Sequence, residues 1–167
     1  MTKSIQILNK TQVEQKLNRL AWQIYENNLE EEYIVIIGIE KRGVILARKI
    51  MKYLKEISSL KITLGVIKFD KSNPYESEVE LSLKEDEFLN QVVILIDDVL
   101  NSGQTLMYAT KYFLDTPLRK ISTVVLIDRN HNRYPIKADF KGLSLSTTLQ
   151  EYITVKLSSK DIGVYLA

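Results

Sequence analysis

Three short, almost uninterrupted apolar runs constrain the fold of this chain more than any other feature. They are YIVIIGI (33–39), VVILID (92–97) and ISTVVLI (121–127), and each is rich in β-branched residues. Such runs are typical of strands that are buried on both faces, as in parallel sheets covered by helices. Segments with helical spacing of apolar residues lie between them. The pattern therefore predicts an α/β fold with a mostly parallel central sheet and helices on both faces.

The other predicted elements follow from the spacing of apolar residues and from turn residues. Helices are predicted over 11–28, 44–55 and 104–114, and further strands over 61–69 and 152–157. Thr11 and Glu14 have the spacing of a capping box at the start of the first helix. Residues 128–142 have the composition of a loop.

The segment 70–88 differs in composition from its surroundings. It is polar and mostly acidic, but Val79, Leu81 and Leu83 alternate with polar residues. Alternation of this kind predicts one arm of a hairpin. The rest of the segment is predicted to be a long mobile loop.

Length and composition restrict the class of protein. The chain has 167 residues, a net charge of +2 and no cysteine. The length predicts a single domain over 1–167, and the absence of cysteine gives no sign of a secreted disulfide scaffold. The N-terminal residues lack the apolar core of a signal peptide, and no apolar run approaches the ~20 residues of a membrane span. These features favour a cytoplasmic protein.

Polar clusters follow three of the predicted strands. They are Glu40 to Gly43, Asp97 with Asp98, and Asp128 with Arg129. Ligands of open α/β sheets bind beyond the carboxyl ends of the strands, so we expect one site built from all three clusters.

The stretch 97–105 has the chemistry of a sugar-phosphate site. Two adjacent carboxylates can accept hydrogen bonds from a diol, and the start of the following helix offers backbone N–H groups to an anion. Gly103 allows close approach of the backbone, and the hydroxyls of Ser102 and Thr105 can donate. A simple strand-to-helix turn remains an alternative. An NTPase does not fit, because Val44 and Ile45 stand where a phosphate loop requires Lys and Ser or Thr.

These residues resemble a known motif. VVILIDDVLNSGQT is similar to the phosphoribosyl-pyrophosphate motif of the type I phosphoribosyltransferases, with the match running from Val93 to Thr105. IIGIEKRGVILARKI and LIDRNHNRYPIKADFKG are similar to segments of one subgroup. Its members are pyrimidine-operon attenuation regulators that are also uracil phosphoribosyltransferases. The resemblance spans nearly the whole chain and implies the type I fold, with a small hood and a flexible loop.

The resemblance also implies a role for each matching residue. Asp97 and Asp98 would bind the ribose 2′ and 3′ hydroxyls, and together with Arg42 they would act in catalysis. Residues 101–105 would hold the 5′-phosphate. The implied substrate-binding set is Lys41, Arg42, Gly43, Asp97, Asp98, Val99, Leu100, Asn101, Ser102, Gly103, Gln104, Thr105, Asp128 and Arg129.

Several further expectations come from the same resemblance. Residues 40–43 would form a pyrophosphate loop, where this fold often holds a cis peptide, and 70–88 would close over the site. Mg²⁺ would accompany the pyrophosphate without direct protein ligands. The expected small molecules are phosphoribosyl pyrophosphate, a nucleobase and a nucleotide monophosphate. The expected assembly is a homodimer or homotetramer.

Departures from the subgroup leave the function open between three alternatives. Gln104 replaces an arginine and Asn101 a common aromatic residue, while Trp22 replaces a histidine used for RNA and is expected in the core or an interface. Basic residues are also missing at Asn132 and Leu143. These losses argue against RNA binding, which depends on phosphate neutralisation. A uracil transferase is the leading hypothesis; a nucleotide-sensing RNA-binding regulator and a purine-base transferase are the alternatives.

Overall fold

The structure is a computed structural model that describes residues 4–167. It contains three α-helices, one 3₁₀ turn and nine strands. The helices are α1 (Lys10–Glu26), α2 (Arg42–Ile57) and α3 (Gln104–Phe113), and the 3₁₀ turn is Glu85–Glu87. The strands are β1 (Ile5–Leu8), β2 (Tyr33–Ile39), β3 (Lys61–Lys68), β4 (Glu80–Leu81), β5 (Val92–Leu100), β6 (Lys120–Asp128), β7 (Phe140–Ser144), β8 (Ile153–Ser158) and β9 (Asp161–Leu166).

Six strands form the central sheet, in the order β4-β3-β2-β5-β6-β7. Strands β3, β2, β5, β6 and β7 are parallel, and only the edge strand β4 runs antiparallel. The three apolar runs are therefore adjacent, because β2, β5 and β6 occupy the middle of the sheet. Their residues are buried almost throughout.

Two hydrophobic layers cover the sheet, one on each face. On one face α1 and α2 pack against alternate residues of the strands, among them Ile36 and Ile94. On the other face α3 packs against the residues between them, including Val93 and Leu95, with Phe113 fully buried. The period of two in a strand sends neighbouring side chains to opposite faces. These observations confirm the predicted α/β fold with helices on both faces.

The first helix begins differently from the prediction. Asn9 is the N-cap: its side-chain oxygen accepts from the backbone N–H of Gln12 at 2.9 Å, and the Gln12 side chain accepts from the backbone N–H of Asn9 at 2.9 Å. The capping box predicted at Thr11 and Glu14 is therefore wrong. Asparagine is as good an N-cap as serine or threonine, so two overlapping cap signals competed, and the earlier one forms the helix start.

A second sheet of three antiparallel strands, in the order β1-β9-β8, lies apart from the central sheet. The predicted strand at 152–157 is present as β8, but it belongs to this smaller sheet. Strands β1, β7 and β9 were not predicted. The prediction of a loop over 128–142 is wrong at its end, because β7 starts at Phe140 and pairs with β6.

The segment 70–88 contains the predicted hairpin arm. Glu80 and Leu81 form β4, which pairs with Lys68 and Ile67 of β3. Val79, Leu81 and Leu83 pack on the apolar layer that contains α3. The preceding residues 70–78 are held mainly by local bonds, such as Asp70 accepting from the N–H of Ser72 at 2.8 Å.

We predict that residues 70–78 exchange their amide hydrogens rapidly in the free protein and that β4 does not. The first part is mostly polar and exposed, and such regions open at low cost in free energy. Hydrogen exchange measured with and without a nucleotide monophosphate tests this expectation. Strong protection of 70–78 in the free protein would contradict a mobile loop.

Among residues 4–167, no helix has the length and apolar character needed to cross a membrane.

Candidate active site

The turn between β2 and α2 forms one wall of the site. Strand β2 ends at Ile39, the Glu40–Lys41 peptide bond is cis, and α2 begins at Arg42. Gly43 lies where the helix start meets strand β5: a Cβ there would stand 2.6 Å from the carbonyl oxygen of Ile96. Only glycine permits this close approach, which brings Lys41 and Arg42 beside the end of β5.

Asp97 and Asp98 lie in the last part of β5, and both are buried. The strand continues through them to Leu100, because Val99 and Leu100 still pair with β6. The Asp97 carboxylate accepts the backbone N–H of Asp98 at 2.9 Å. The backbone thereby fixes one of the two carboxylates in place.

Each carboxylate has a cation beside it. Arg42 Nη1 lies 3.4 Å from Asp98 Oδ2, and Lys71 Nζ lies 3.6 Å from Asp97 Oδ1. Burial raises the pKa of Asp97 to about 7; Lys71 opposes this rise and the Asp98 charge adds to it. Desolvation is the largest cause, as expected for a carboxylate inside a sheet.

Residues 101–105, which the sequence predicts to be a phosphate loop, join the end of β5 to the first residues of α3. Gly103 has a φ of 85°, in the left-handed region that favours glycine, and it caps α3 without a side-chain hydrogen bond. The backbone carbonyl of Ser102 accepts the N–H groups of Arg133 and Tyr134 at 2.8 and 3.0 Å. The first turn of α3 has N–H groups without intrahelical acceptors, and its dipole favours an anion.

These walls enclose a cavity of about 430 Å³ at the carboxyl end of the central strands. This volume falls within the range of small-molecule sites. The lining consists of Glu40, Lys41, Arg42, Phe69, Lys71, Asp97, Asp98, Val99, Leu100, Asn101, Ser102, Gly103, Gln104, Thr105, Leu106 and Ile153. Three side chains in it are cationic and three are anionic.

The structure brings most of the residues predicted from sequence to this cavity. Lys41, Arg42 and the whole run 97–105 line it, and Gly43 lies directly behind the wall. Asp128 and Arg129 are not among the lining residues. Asp128 is buried and pairs with Lys141 at 3.0 Å, while Arg129 is buried against loop oxygens.

Sequence reasoning included Lys71 only as part of the segment 70–88 that would close over the site, and it did not identify Phe69, Leu106 and Ile153 as residues of the site. Phe69 and Lys71 follow strand β3, which neighbours β2, so the rule that ligands bind at strand ends could have found them. Ile153 starts β8 in the smaller sheet. No sequence pattern indicates that this sheet reaches the cavity.

We predict that the affinity for ribose 5-phosphate rises about tenfold between pH 6 and pH 8, because Asp97 with a pKa of about 7 ionises in this interval. The carboxylate accepts hydrogen bonds from both hydroxyls of a diol, whereas the protonated acid also donates. The phosphate itself titrates near pH 6, so Asp97→Asn is the control. If calorimetry shows that the affinity depends equally on pH in wild type and in Asp97→Asn, the prediction is contradicted.

The same ionisation affects folding stability with the opposite sign. The pKa of Asp97 in the folded chain lies above its ordinary value of 3.8. Its contribution to stability is therefore fully present below pH ~4 and is lost as pH rises through about 7. Denaturant unfolding of Asp97→Asn should lack this part of the pH dependence.

Comparison with known proteins agrees with this geometry. Residues 4–160 match the family model described as phosphoribosyl transferase domain. The bifunctional protein PyrR of Oceanobacillus iheyensis is 34% identical over 175 residues, which covers 96% of this chain and 94% of that protein. The PyrR protein of Streptococcus mutans is 35% identical over 163 residues, which covers 95% of this chain and 92% of that protein.

Solved structures share the fold at lower identity. A hypoxanthine-guanine phosphoribosyltransferase from Bacillus anthracis superposes with a TM-score of 0.76 at 20% identity, over 89% of this chain and 84% of that chain. The hypoxanthine phosphoribosyltransferase of Trypanosoma cruzi, in complex with the product IMP, superposes with a TM-score of 0.74 at 14% identity, over 89% of this chain and 82% of that chain. These two likenesses concern the fold alone. The family match over residues 4–160, together with the PyrR relatives, shows that the chain belongs to the phosphoribosyltransferase family.

Proposed function

We propose that the chain transfers ribose 5-phosphate from phosphoribosyl pyrophosphate to a nucleobase, and that the base is uracil. One observation carries the proposal: a carboxylate pair, a glycine-capped helix start and two cations converge on one cavity. These groups complement the diol, the 5′-phosphate and the pyrophosphate of a single ligand. The match over residues 4–160 also supports one phosphoribosyltransferase domain.

The charges around the cavity support a mechanism based on electrostatics. Breaking the bond between C1 and pyrophosphate develops a cation on the ribose and an anion on the leaving group. Lys41 and Arg42 would stabilise the anion, and preorganised charges of this kind are a major source of catalysis. The carboxylates hold the ribose hydroxyls and lie on the side of the developing cation. The nucleophile is a nitrogen of the base, so no nucleophilic side chain is needed.

Magnesium fits this site as a companion of the pyrophosphate. Within residues 4–167, no group of three or more His, Cys, Asp or Glu side chains has a metal-binding arrangement. Mg²⁺ is commonly bound through substrate phosphates and only one or two carboxylates. Its role, when bound, is to add positive charge to the leaving group. Lys71, which already faces Asp97, would then contribute its charge at the same end of the cavity.

A turnover screen tests the proposed activity. Uracil, hypoxanthine, guanine and adenine are each incubated with phosphoribosyl pyrophosphate and Mg²⁺, and pyrophosphate release is measured. Uracil is expected to give the highest rate. The Asp97→Asn/Asp98→Asn variant, purified in the same way, controls for contaminating enzymes. A purine as the best substrate would replace uracil in the proposal, and the absence of turnover with every base would contradict a transferase.

A nucleotide-sensing RNA-binding regulator is the second candidate. Trp22 is 43% exposed, which excludes the core and leaves the interface as its predicted place, and it lies on the same face of α1 as Arg19. Two of the basic groups nearby, Arg19 and Lys141, are engaged within the molecule, however. Arg19 donates to the backbone carbonyls of Lys141 and Gly142 at 3.1 and 2.6 Å, and Lys141 pairs with Asp128.

We therefore predict no specific binding to a pyrimidine-operon leader RNA hairpin at physiological salt, while nucleotide binding persists. Arg19 and Lys141 are engaged within the molecule, and each phosphate contact requires an available cation. A filter-binding titration with a scrambled hairpin as control decides the point. Sequence-dependent binding at roughly 10⁻⁸ M or tighter would favour the regulator, with Trp22 stacking on an unpaired base.

The remaining proposals rest on the family. A homodimer or homotetramer is proposed, and light scattering after gel filtration measures it. A cytoplasmic location also stays a proposal.

A further inference from the structure

Arg129 is a buried guanidinium that does not line the cavity. It follows the last residue of β6, and its side chain makes four hydrogen bonds. Nη1 donates to Asn101 Oδ1 at 2.8 Å, and Nε donates to Thr147 Oγ1 at 3.0 Å. Nη2 donates to the backbone carbonyls of Thr148 and Glu151 at 3.2 and 2.6 Å.

These acceptors belong to two different walls of the site. Asn101 opens the phosphate loop. Thr147, Thr148 and Glu151 belong to the connection between β7 and β8 (residues 145–152), which leads directly to Ile153 on the cavity lining. The backbone N–H of Arg129 also donates to the carbonyl of Leu100 at 3.0 Å, just before the phosphate loop. Arg129 therefore joins the two walls from behind.

The chemistry of arginine suits this role. A guanidinium has five N–H donors in a rigid planar fork, so one side chain can hold acceptors from several segments in a fixed relation. All three donor nitrogens of Arg129 are used by protein oxygens. A buried cation with its nitrogens so engaged is poorly placed to bind a substrate anion as well.

We propose that Arg129 is a positioning residue that couples the phosphate loop to the 145–152 connection, so that each wall is ordered only when the other is. The inference deepens the proposed function and rests on it, since it takes the cavity to hold a ribose phosphate. Arg129 then affects substrate binding through the two walls and does not contact the substrate itself.

The decisive variant is Thr147→Val, which removes one hydroxyl that accepts from Arg129 and does not line the cavity. The ligand is ribose 5-phosphate, which carries no base. If Arg129 couples the walls, loosening the 145–152 connection lowers the affinity for ribose 5-phosphate at least threefold. This is a common size for coupling between residues of one network. Thr154→Val, an exposed threonine on β8, is the matched control and should change nothing.

Arg129→Lys supplies the second half of the cycle. Lysine keeps the charge but has no planar fork with which to bind the acceptors of both segments. The effect of Thr147→Val on ribose 5-phosphate affinity should vanish in the Arg129→Lys protein. An equal effect in both backgrounds would overturn the proposal, as would equal affinities of Thr147→Val and Thr154→Val.

Hydrogen exchange in the free protein separates this inference from the proposed function. In Thr147→Val the amides of residues 101–107 should exchange at least threefold faster than in Thr154→Val. This readout needs no ligand and no folded Arg129→Lys protein. If wild type fails to bind ribose 5-phosphate, the proposed function fails, yet faster exchange would still support the coupling. Unchanged exchange at 101–107 would overturn it.

Discussion

Replacing Asp97 and Asp98 together by asparagine is expected to weaken the binding of phosphoribosyl pyrophosphate and nucleotide monophosphates by at least about a hundredfold. Each carboxylate is proposed to accept a ribose hydroxyl, and a hydrogen bond to a charged group contributes roughly 1.5–3 kcal/mol. Asp98→Asn alone should cause about a tenfold loss or more. Calorimetry with a nucleotide monophosphate at pH 8 measures both effects.

A measurement of folding stability distinguishes a loss of ligand contacts from a general disruption of the fold. Asp97 is buried with a raised pKa, so its charge at pH 8 opposes folding and asparagine removes that cost. The double variant should therefore unfold at no lower denaturant concentration than wild type. Asp115→Asn, at an exposed position after α3, controls for the change of side chain. Undiminished affinity in the double variant would refute the assignment of the ribose site.

Gly103→Ala is expected to have the second largest effect, because the substitution is unfavourable in two ways. A residue with a Cβ at a φ of 85° is strained by about 1–2 kcal/mol. In addition, the new Cβ would lie 2.7 Å from Ile136 Cγ2. We expect a loss of about 1–3 kcal/mol in the free energy of unfolding and at least a tenfold loss of ribose 5-phosphate affinity.

Gly163→Ala is a matched control for that substitution. Gly163 lies in β9 outside the cavity, and a Cβ there would meet the end of the Tyr165 side chain at 3.0 Å, which can move. Denaturant unfolding and calorimetry on both variants compare the effect of a new Cβ at Gly103, in the phosphate loop, with the effect of one at Gly163, outside the cavity. Equal effects of the two would show that the conformation of Gly103 is not essential to phosphate binding.

The parts of the fold that could be predicted from sequence are those specified by local pattern. Strands 33–39 and 121–127 are almost uninterrupted apolar runs rich in β-branched residues, and this pattern has no other strong interpretation than a strand buried on both faces. The candidate phosphate loop could be recognised because its chemistry lies in the consecutive residues 101–105; all five line the cavity, and their binding of phosphate stays a prediction. The predicted helix 104–114 has the observed start of α3, Gln104, because the loop before it defines where the helix starts. Its predicted end lies one residue beyond Phe113.

What could not be predicted depends on contacts between distant segments. Strands β1 and β9 are short and become strands by pairing with each other. Strand β7 contains Gly142 and polar residues, and it is stabilised by pairing with β6. Ile153 reaches the cavity from the smaller sheet, and no single window of sequence contains the arrangement of the two sheets. The burial of Arg129 depends on a connection more than fifteen residues further along the chain.

The position of β5 in the central sheet determines the order in which the site is lost on heating. Strand β5 pairs with β2 as far as Ile96 and with β6 as far as Leu100, so Asp97 is held in the ladder with β6, opposite Val125. Residues 70–78 and the phosphate loop lie outside the strands and open at a lower cost in free energy. Warming should thus open residues 70–78 and 101–105 while the carboxylate pair is still intact, so that inactivation precedes unfolding and reverses on cooling.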